Sequence, residues 1–159
     1  MTEKEFEKYY FLYSKEVFKV AYSYINQKEE SEDILQNVFV KFINGKNKFK
    51  DDQEIKYWLI RVTINECIDY LRYRNKRKIV KDYKYIYQSE NRNNRDEENF
   101  ILSYYVSKLP DKYKKVILLY YYNNYSTSEI SSLLKIKEDN VRKLLERGRK
   151  MLKERLEDN

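Results

Sequence analysis

Residues 124–156 read NYSTSEISSLLKIKEDNVRKLLERGRKMLKERL. Ser126, with Glu129 three positions on, has the spacing of a capping box: hydroxyl and carboxylate each take a backbone N–H at the start of a helix. A short helix is therefore predicted from about Thr127 to Leu134. Lys135–Ile136–Lys137 leaves room only for a tight connection. A last helix follows, in which Val141, Leu145, Gly148, Leu152 and Leu156 recur at steps of four, three, four and four. Two helices so joined make a helix-turn-helix. Ile130, Leu133, Leu134, Ile136, Val141 and Leu145 fall where the two must pack. The opposite face of the second helix carries Arg142, Lys143, Glu146, Arg147, Arg149 and Lys150. Arginine and lysine there can fork onto guanine or grip phosphate, and glutamate can accept from cytosine N4. The pattern favours DNA binding over a plain helical hairpin with a charged face.

Upstream of this motif, Tyr113, Val116, Ile117 and Tyr120 mark the buried face of another helix, which Leu109–Pro110–Asp111 starts with proline in its first turn. Phe100, Ile101 and Tyr104 mark one before it. Further upstream, DYKYIYQSENRNNRDEEN (82–99) loses helical periodicity and gains Asn, Ser and mixed charge, as an exposed linker does. The first part of the chain predicts three helices. Apolar residues from Phe6 through Tyr10, Tyr13, Val17 and Val20 or Ala21 to Tyr24 mark the first. Ser31, with Glu32 and Asp33 behind it, looks like the N-cap of the second, which carries Ile34, Leu35, Val38, Phe39, Phe42 and Ile43 up to Gly45. After a polar loop, Lys46–Glu54, the third runs from Ile55 to about Tyr73. The predicted fold is all-α: two small helical domains, 1–78 and 97–159, joined by a flexible linker over 79–96.

Composition agrees. With two Gly and one Pro in 159 residues, the chain lacks the turn residues of a sandwich or barrel. It has no histidine, so the metal-histidine sites and the Ser–His triad are absent. Its one cysteine, Cys67, can form no internal disulfide and anchors no zinc cluster. No cofactor, metal or catalytic residue is expected. Carboxylates such as Asp33 and Glu66 are not gathered into a site. MTEKEFEKYY is charged from the start, unlike a signal peptide, and no apolar run is long enough to span a membrane, so a cytoplasmic setting is expected. The formal charge of +7 is uneven. Residues 1–71 hold 11 basic and 13 acidic side chains, net −2; residues 72–98 are net +4 and residues 99–159 net +5. A basic half beside a near-neutral half suggests one surface for a polyanion and another for something else.

The helix-turn-helix stretch resembles region 4 of sigma-70 family RNA polymerase sigma factors of the extracytoplasmic-function (ECF) type. Independently, SEDILQNVFVKFI (31–43) resembles the family's region 2.2, and YWLIRVTINECIDYLRYRNKRK (57–78) its regions 2.3 to 2.4. The blocks stand in the family's order. The resemblance implies a sigma factor that binds core polymerase, through the β′ clamp helices and the β subunit, and directs promoter recognition, melting and initiation. It implies polymerase contacts at Asp33, Gln36, Asn37 and Lys41. It also implies −10 contacts at Lys48, Lys50, Arg61 and Asn65 and, along RYRNKRK, at Arg72, Arg74, Lys76 and Arg77. The −35 contacts would come from Arg142, Lys143, Glu146, Arg147, Arg149 and Lys150. Trp58 matches an aromatic position of the family, yet beside Leu59 and Val62 a core role is expected. The family commonly works under an anti-sigma factor, often membrane-bound, which implies such a partner and no small-molecule substrate.

Four positions depart from the family pattern: Lys135 for the turn glycine, Lys137 for the serine cap, Ser131 for alanine and Leu144 for arginine. The alternative function is a helix-turn-helix regulator that never meets polymerase; the two blocks in the first half argue against it.

Overall fold

The computed structural model describes residues 1–76 and 94–158. The first three helices are α1 (Glu3–Ile25), α2 (Lys28–Asn44) and α3 (Asp52–Lys76). Thr2 caps α1 in a capping box with Glu5, and Asn26 ends it in a left-handed conformation, its N–H bonded to the Tyr22 carbonyl. α2 begins at Lys28, behind an extended Gln27. Ser31 is therefore not its N-cap. It is fully buried within the helix, its hydroxyl donating to the Gln27 carbonyl at 2.6 Å. Acids just after a serine mimic a cap, but the chain reverses earlier, at Asn26. Gly45 does end α2, in extended rather than left-handed backbone. α3 starts three residues before the position predicted and runs three beyond it.

The three helices enclose Val17, Val20, Ile34, Val38, Leu59, Ile60 and Ile64, all at most 3% exposed. At one end Phe42 meets Tyr9, Phe49 and Trp58 with ring centroids 6.0, 6.1 and 5.9 Å apart, within the range of favourable aromatic pairs. Trp58 thus packs with the core, and Phe49 pins the loop before α3. Ile43, expected on the apolar stripe of α2, is exposed.

The second unit holds α4 (Asn94–Ser107), α5 (Asp111–Ile117), a π-helical turn (Leu118–Tyr122), α6 (Thr127–Leu134) and α7 (Glu138–Glu157). Of the linker expected over 79–96, residues 94–96 are already helical, and 79–93 lie outside the described residues. In α4 the buried residues are Phe100 and Val106, while Ile101 faces water. Pro110 sits at the N-cap of α5, one position before the first turn. Tyr120 is exposed; its expected place is taken by Leu118 and Leu119, which the π turn brings into the core. The α7 stripe is buried through Val141, Leu145, Gly148 and Leu152, and Leu156 is exposed. At Gly148 the helix presses on α5: a Cβ there would lie 3.1 Å from Ile117 Cγ1.

The two units share one hydrophobic core, with α1 against the π turn and α3 against α6. Among the described tyrosines, Tyr10, Tyr22, Tyr73, Tyr120 and Tyr121 are exposed. Tyr24, Tyr57 and Tyr125 are buried, and Tyr24 and Tyr125 lie at this seam.

Candidate nucleic-acid interface

The helix-turn-helix forms as its sequence dictates. Ser126 Oγ accepts from the Glu129 N–H at 3.0 Å, and Glu129 Oε1 accepts from the Ser126 N–H at 3.1 Å. Lys135 adopts φ 58°, ψ 45°, so the turn keeps the left-handed conformation without the glycine that suits it. Ser131 closes the turn: its hydroxyl donates to the Ile136 carbonyl at 2.6 Å, and its own carbonyl accepts the Ile136 N–H at 3.1 Å. Lys137 gives α7 no side-chain cap. Glu138 accepts from the Thr127 hydroxyl at 2.8 Å, which ties the start of α6 to the start of α7 without capping either.

With Val141, Leu145, Gly148 and Leu152 buried, the opposite face of α7 presents Arg142, Lys143, Glu146, Arg147, Arg149 and Lys150, all exposed. Arg142 bonds to Glu138 at 2.9 Å and Asp139 at 3.3 Å, and Arg149 donates to the Tyr121 hydroxyl at 3.0 Å. Exposed pairs of this kind are worth about 0–1 kcal/mol, so an incoming phosphate can displace them. Lys143, Arg147 and Lys150 make no ion pair among the described residues. Leu144 is half-buried and packs against the core, as a leucine in the place of an arginine should.

In the first unit, Asp33, Gln36, Asn37 and Lys41 lie exposed along α2, opposite the buried Ile34 and Val38. Lys41 is ion-paired to Glu66 on α3. The same face exposes Val40, which carried no signal in the sequence, and Ile43, which was expected in the core. Apolar residues among polar ones suit a protein partner better than DNA. Lys48 and Lys50 are exposed in the loop before α3, where the Lys50 N–H donates to Glu54. Asn65 is exposed on α3; Arg72 and Arg74 lie near its end; Lys76 is its last residue. Arg77 lies outside the described residues.

Arg61, one turn before Asn65, is less exposed and reaches the second unit. Its guanidinium donates to the Leu133 carbonyl on α6 at 2.9 Å, and burial lowers its pKa. Three more hydrogen bonds cross the seam. The Tyr125 hydroxyl donates to Glu16, a carboxylate that Lys56 braces from within the first unit at 3.3 Å. Asn123 donates to the Ser23 hydroxyl at 3.3 Å, and Arg72 to Asp111 at 3.1 Å. Glu16, Lys56, Asn123 and Tyr125 carry no motif that would have marked them beforehand.

Among the described residues no group of His, Cys, Asp or Glu is placed to hold a metal, and no helix is long and apolar enough to cross a membrane. Cys67 is buried, and its burial pushes the thiol pKa well up, which keeps it unreactive.

Comparison with known proteins finds one family over both units. Residues 10–77 match the family model for sigma-70 region 2, and residues 100–152 that for sigma-70 region 4. The ECF RNA polymerase sigma factor SigM of Bacillus subtilis is 30% identical over 148 residues, covering 91% of this chain and 90% of that protein. The RNA polymerase sigma factor SigZ of the same organism is 30% identical over 134 residues, covering 84% and 76%. Among solved structures, CnrH in complex with the cytosolic domain of CnrY superposes with a TM-score of 0.71 at 19% identity, covering 99% of this chain and 91% of that one. The sigma factor RpoE in complex with the anti-sigma factor NepR, from Bartonella quintana, gives 0.66 at 17% identity, covering 97% and 98%.

Proposed function

The chain belongs to the sigma-70 family of RNA polymerase sigma factors, in its ECF group, and on that premise we propose how its surfaces divide the work. It is an alternative sigma factor, which binds core polymerase and directs promoter recognition and initiation. The first unit, residues 1–78, takes the polymerase clamp on the α2 face through Asp33, Gln36, Asn37 and Lys41, with Val40 and Ile43 adding apolar area. Its α3 side reads the −10 element, Asn65 and Arg61 reaching a base or its phosphate and Lys48, Lys50, Arg72, Arg74, Lys76 and Arg77 holding the backbone. Each phosphate so held adds roughly 0.9 to the salt slope of binding.

The second unit, residues 97–159, seats α7 in the −35 major groove, where Arg142, Lys143, Glu146 and Arg147 face base edges and Arg149 and Lys150 the backbone. Promoter melting is driven by binding energy, the unstacking of a base costing a few kcal/mol, and involves no covalent chemistry. The protein works in the cytoplasm, and an anti-sigma factor covers its two units when it is silent.

One observation carries this division. The cations of α7 stand on its exposed face, back to back with the buried stripe that fixes the helix in the motif. The test is run-off transcription by holoenzyme on a promoter with intact or scrambled −35 sequence. Arg147→Ala should lose activity on the intact promoter, equivalent to roughly 1–3 kcal/mol, and almost none on the scrambled one. An equal loss on both removes Arg147 from base reading.

A further inference from the structure

Between the two units lies a cavity of about 330 Å³, which shares Arg72 and Arg74 with the proposed −10 surface and is otherwise lined by residues that surface does not use. Its twelve lining residues include four cations, Arg72 and Arg74 from α3 and Lys108 and Lys114 from the second unit, against a single acid, Asp111. Arg72 is bonded to that acid, which leaves the other three cations without a matching carboxylate in the wall.

Two polar groups in the wall sit on buried residues. Lys114 is 5% exposed and makes no ion pair among the described residues, its ammonium resting 5.0 Å from the centre of the Tyr24 ring in a cation–π contact. The Tyr24 hydroxyl, on a residue 2% exposed, has no hydrogen-bond partner. Proteins rarely bury a hydroxyl with no partner, and here it lies beside an ammonium whose charge no carboxylate in the wall matches. Both donors, together with two arginine forks, call for one acceptor rich in oxygen and negative charge.

We propose that this cavity binds a small organic phosphate carrying at least two negative charges. The volume decides against a bare oxyanion: about 300 Å³ is where pockets for small organic ligands begin. Tyr24 and Tyr104 supply aromatic wall for the body of such a molecule. Bound there, it bridges Arg72 and Arg74 of the first unit to Lys108 and Lys114 of the second, and so holds the two units closed. The assignment stands whether or not the chain serves a polymerase.

The test is isothermal titration of the full chain, without DNA, using ADP, pyrophosphate and uncharged adenosine as probes. ADP should bind with a Kd well below about 1 mM, adenosine not at all. Lys114→Met should weaken ADP at least about tenfold. Lys108→Met, an exposed change that leaves the core intact, should weaken it in the same direction. Lys19→Met, an exposed cation on α1 away from the cavity, should leave it unchanged. Pyrophosphate binding that also depends on Lys114 supports the site through its charge alone. No ADP binding at low salt, or equal affinity in wild type, Lys114→Met and Lys108→Met, overturns the proposal. Equal losses in Lys19→Met overturn it too, since they would show diffuse charge attraction.

Discussion

The Arg61 guanidinium on α3 donates a 2.9 Å hydrogen bond to the carbonyl of Leu133 on α6, a residue 72 positions away and in the other unit. A side chain assigned to the −10 element is thus engaged with the back of the −35 motif. It cannot make both contacts at once. A charge-assisted bond of this kind is worth about 1.5–3 kcal/mol when buried, and less here because Arg61 is half-exposed. That is small enough for a promoter to break. Single-stranded −10 DNA should therefore move the units apart, read as a drop in energy transfer between dyes on Lys19→Cys and Lys153→Cys. Arg61→Ala should start partly open. If the DNA binds and the dye distance does not change, Arg61 takes no part in reading the strand.

Gly148 marks the closest approach of α7 to α5. A methyl group there would meet Ile117 Cγ1 at 3.1 Å and Cδ1 at 3.2 Å, and Ile117 is 2% exposed with nowhere to retreat. Overpacking costs about 1–3 kcal/mol, while alanine regains about 1 kcal/mol of helix propensity. The first term wins. Gly148→Ala should lower stability by about 1 kcal/mol in urea unfolding; an increase would show that the two helices separate freely.

Lys135 carries the opposite error. At φ 58° an L-residue loses roughly 1–2 kcal/mol that glycine does not. Part of this is offset because glycine is freer in the unfolded chain. Lys135→Gly should raise stability by about 0.5–1 kcal/mol. Lys135→Ala, with its Cβ, should not. Equal gains from both would place the cost in the lysine side chain instead of the backbone.

The seam also predicts an alkaline limit. Burial raises the Tyr125 hydroxyl above the ordinary tyrosine value, and its hydrogen bond to Glu16 and that carboxylate's charge raise it further. Burial raises Tyr24 likewise. A group whose folded pKa is raised contributes stability that is complete below the unfolded value, about 10, and lost as pH climbs through the folded one. Burial lowers Lys114, whose contribution therefore grows with pH up to the ordinary lysine value. Two raised tyrosines outweigh it, so the urea midpoint should fall above pH 10. Tyr125→Phe should flatten that fall; an unchanged slope would assign it to other groups.

How far the sequence could be read follows from the range of each interaction. The capping box of Ser126 and Glu129 lies within one turn, and its helix starts where that spacing predicts. The α7 stripe is a period, so it too was visible, failing only at Leu156, which is exposed. Ser31 misled because its acids imitate a cap, while its place in the core is fixed by helices it packs against. The run LLYYY has no periodic signal to announce a π turn. The seam was illegible. Tyr125 and Glu16 are 109 residues apart, and nothing local to either residue points to the other. Hence the exposed α7 and α2 candidates were placed correctly on their helices, while the position of Arg61 between the units was not foreseen.

The central claim is tested most directly by adding the purified chain to sigma-free core polymerase and a promoter fragment from upstream of its own gene. The account predicts run-off transcripts from one start site, absent with core enzyme alone and absent when both promoter elements are scrambled. Tight binding of the chain to that duplex at physiological salt, with no promoter-dependent transcript from core polymerase, would contradict it.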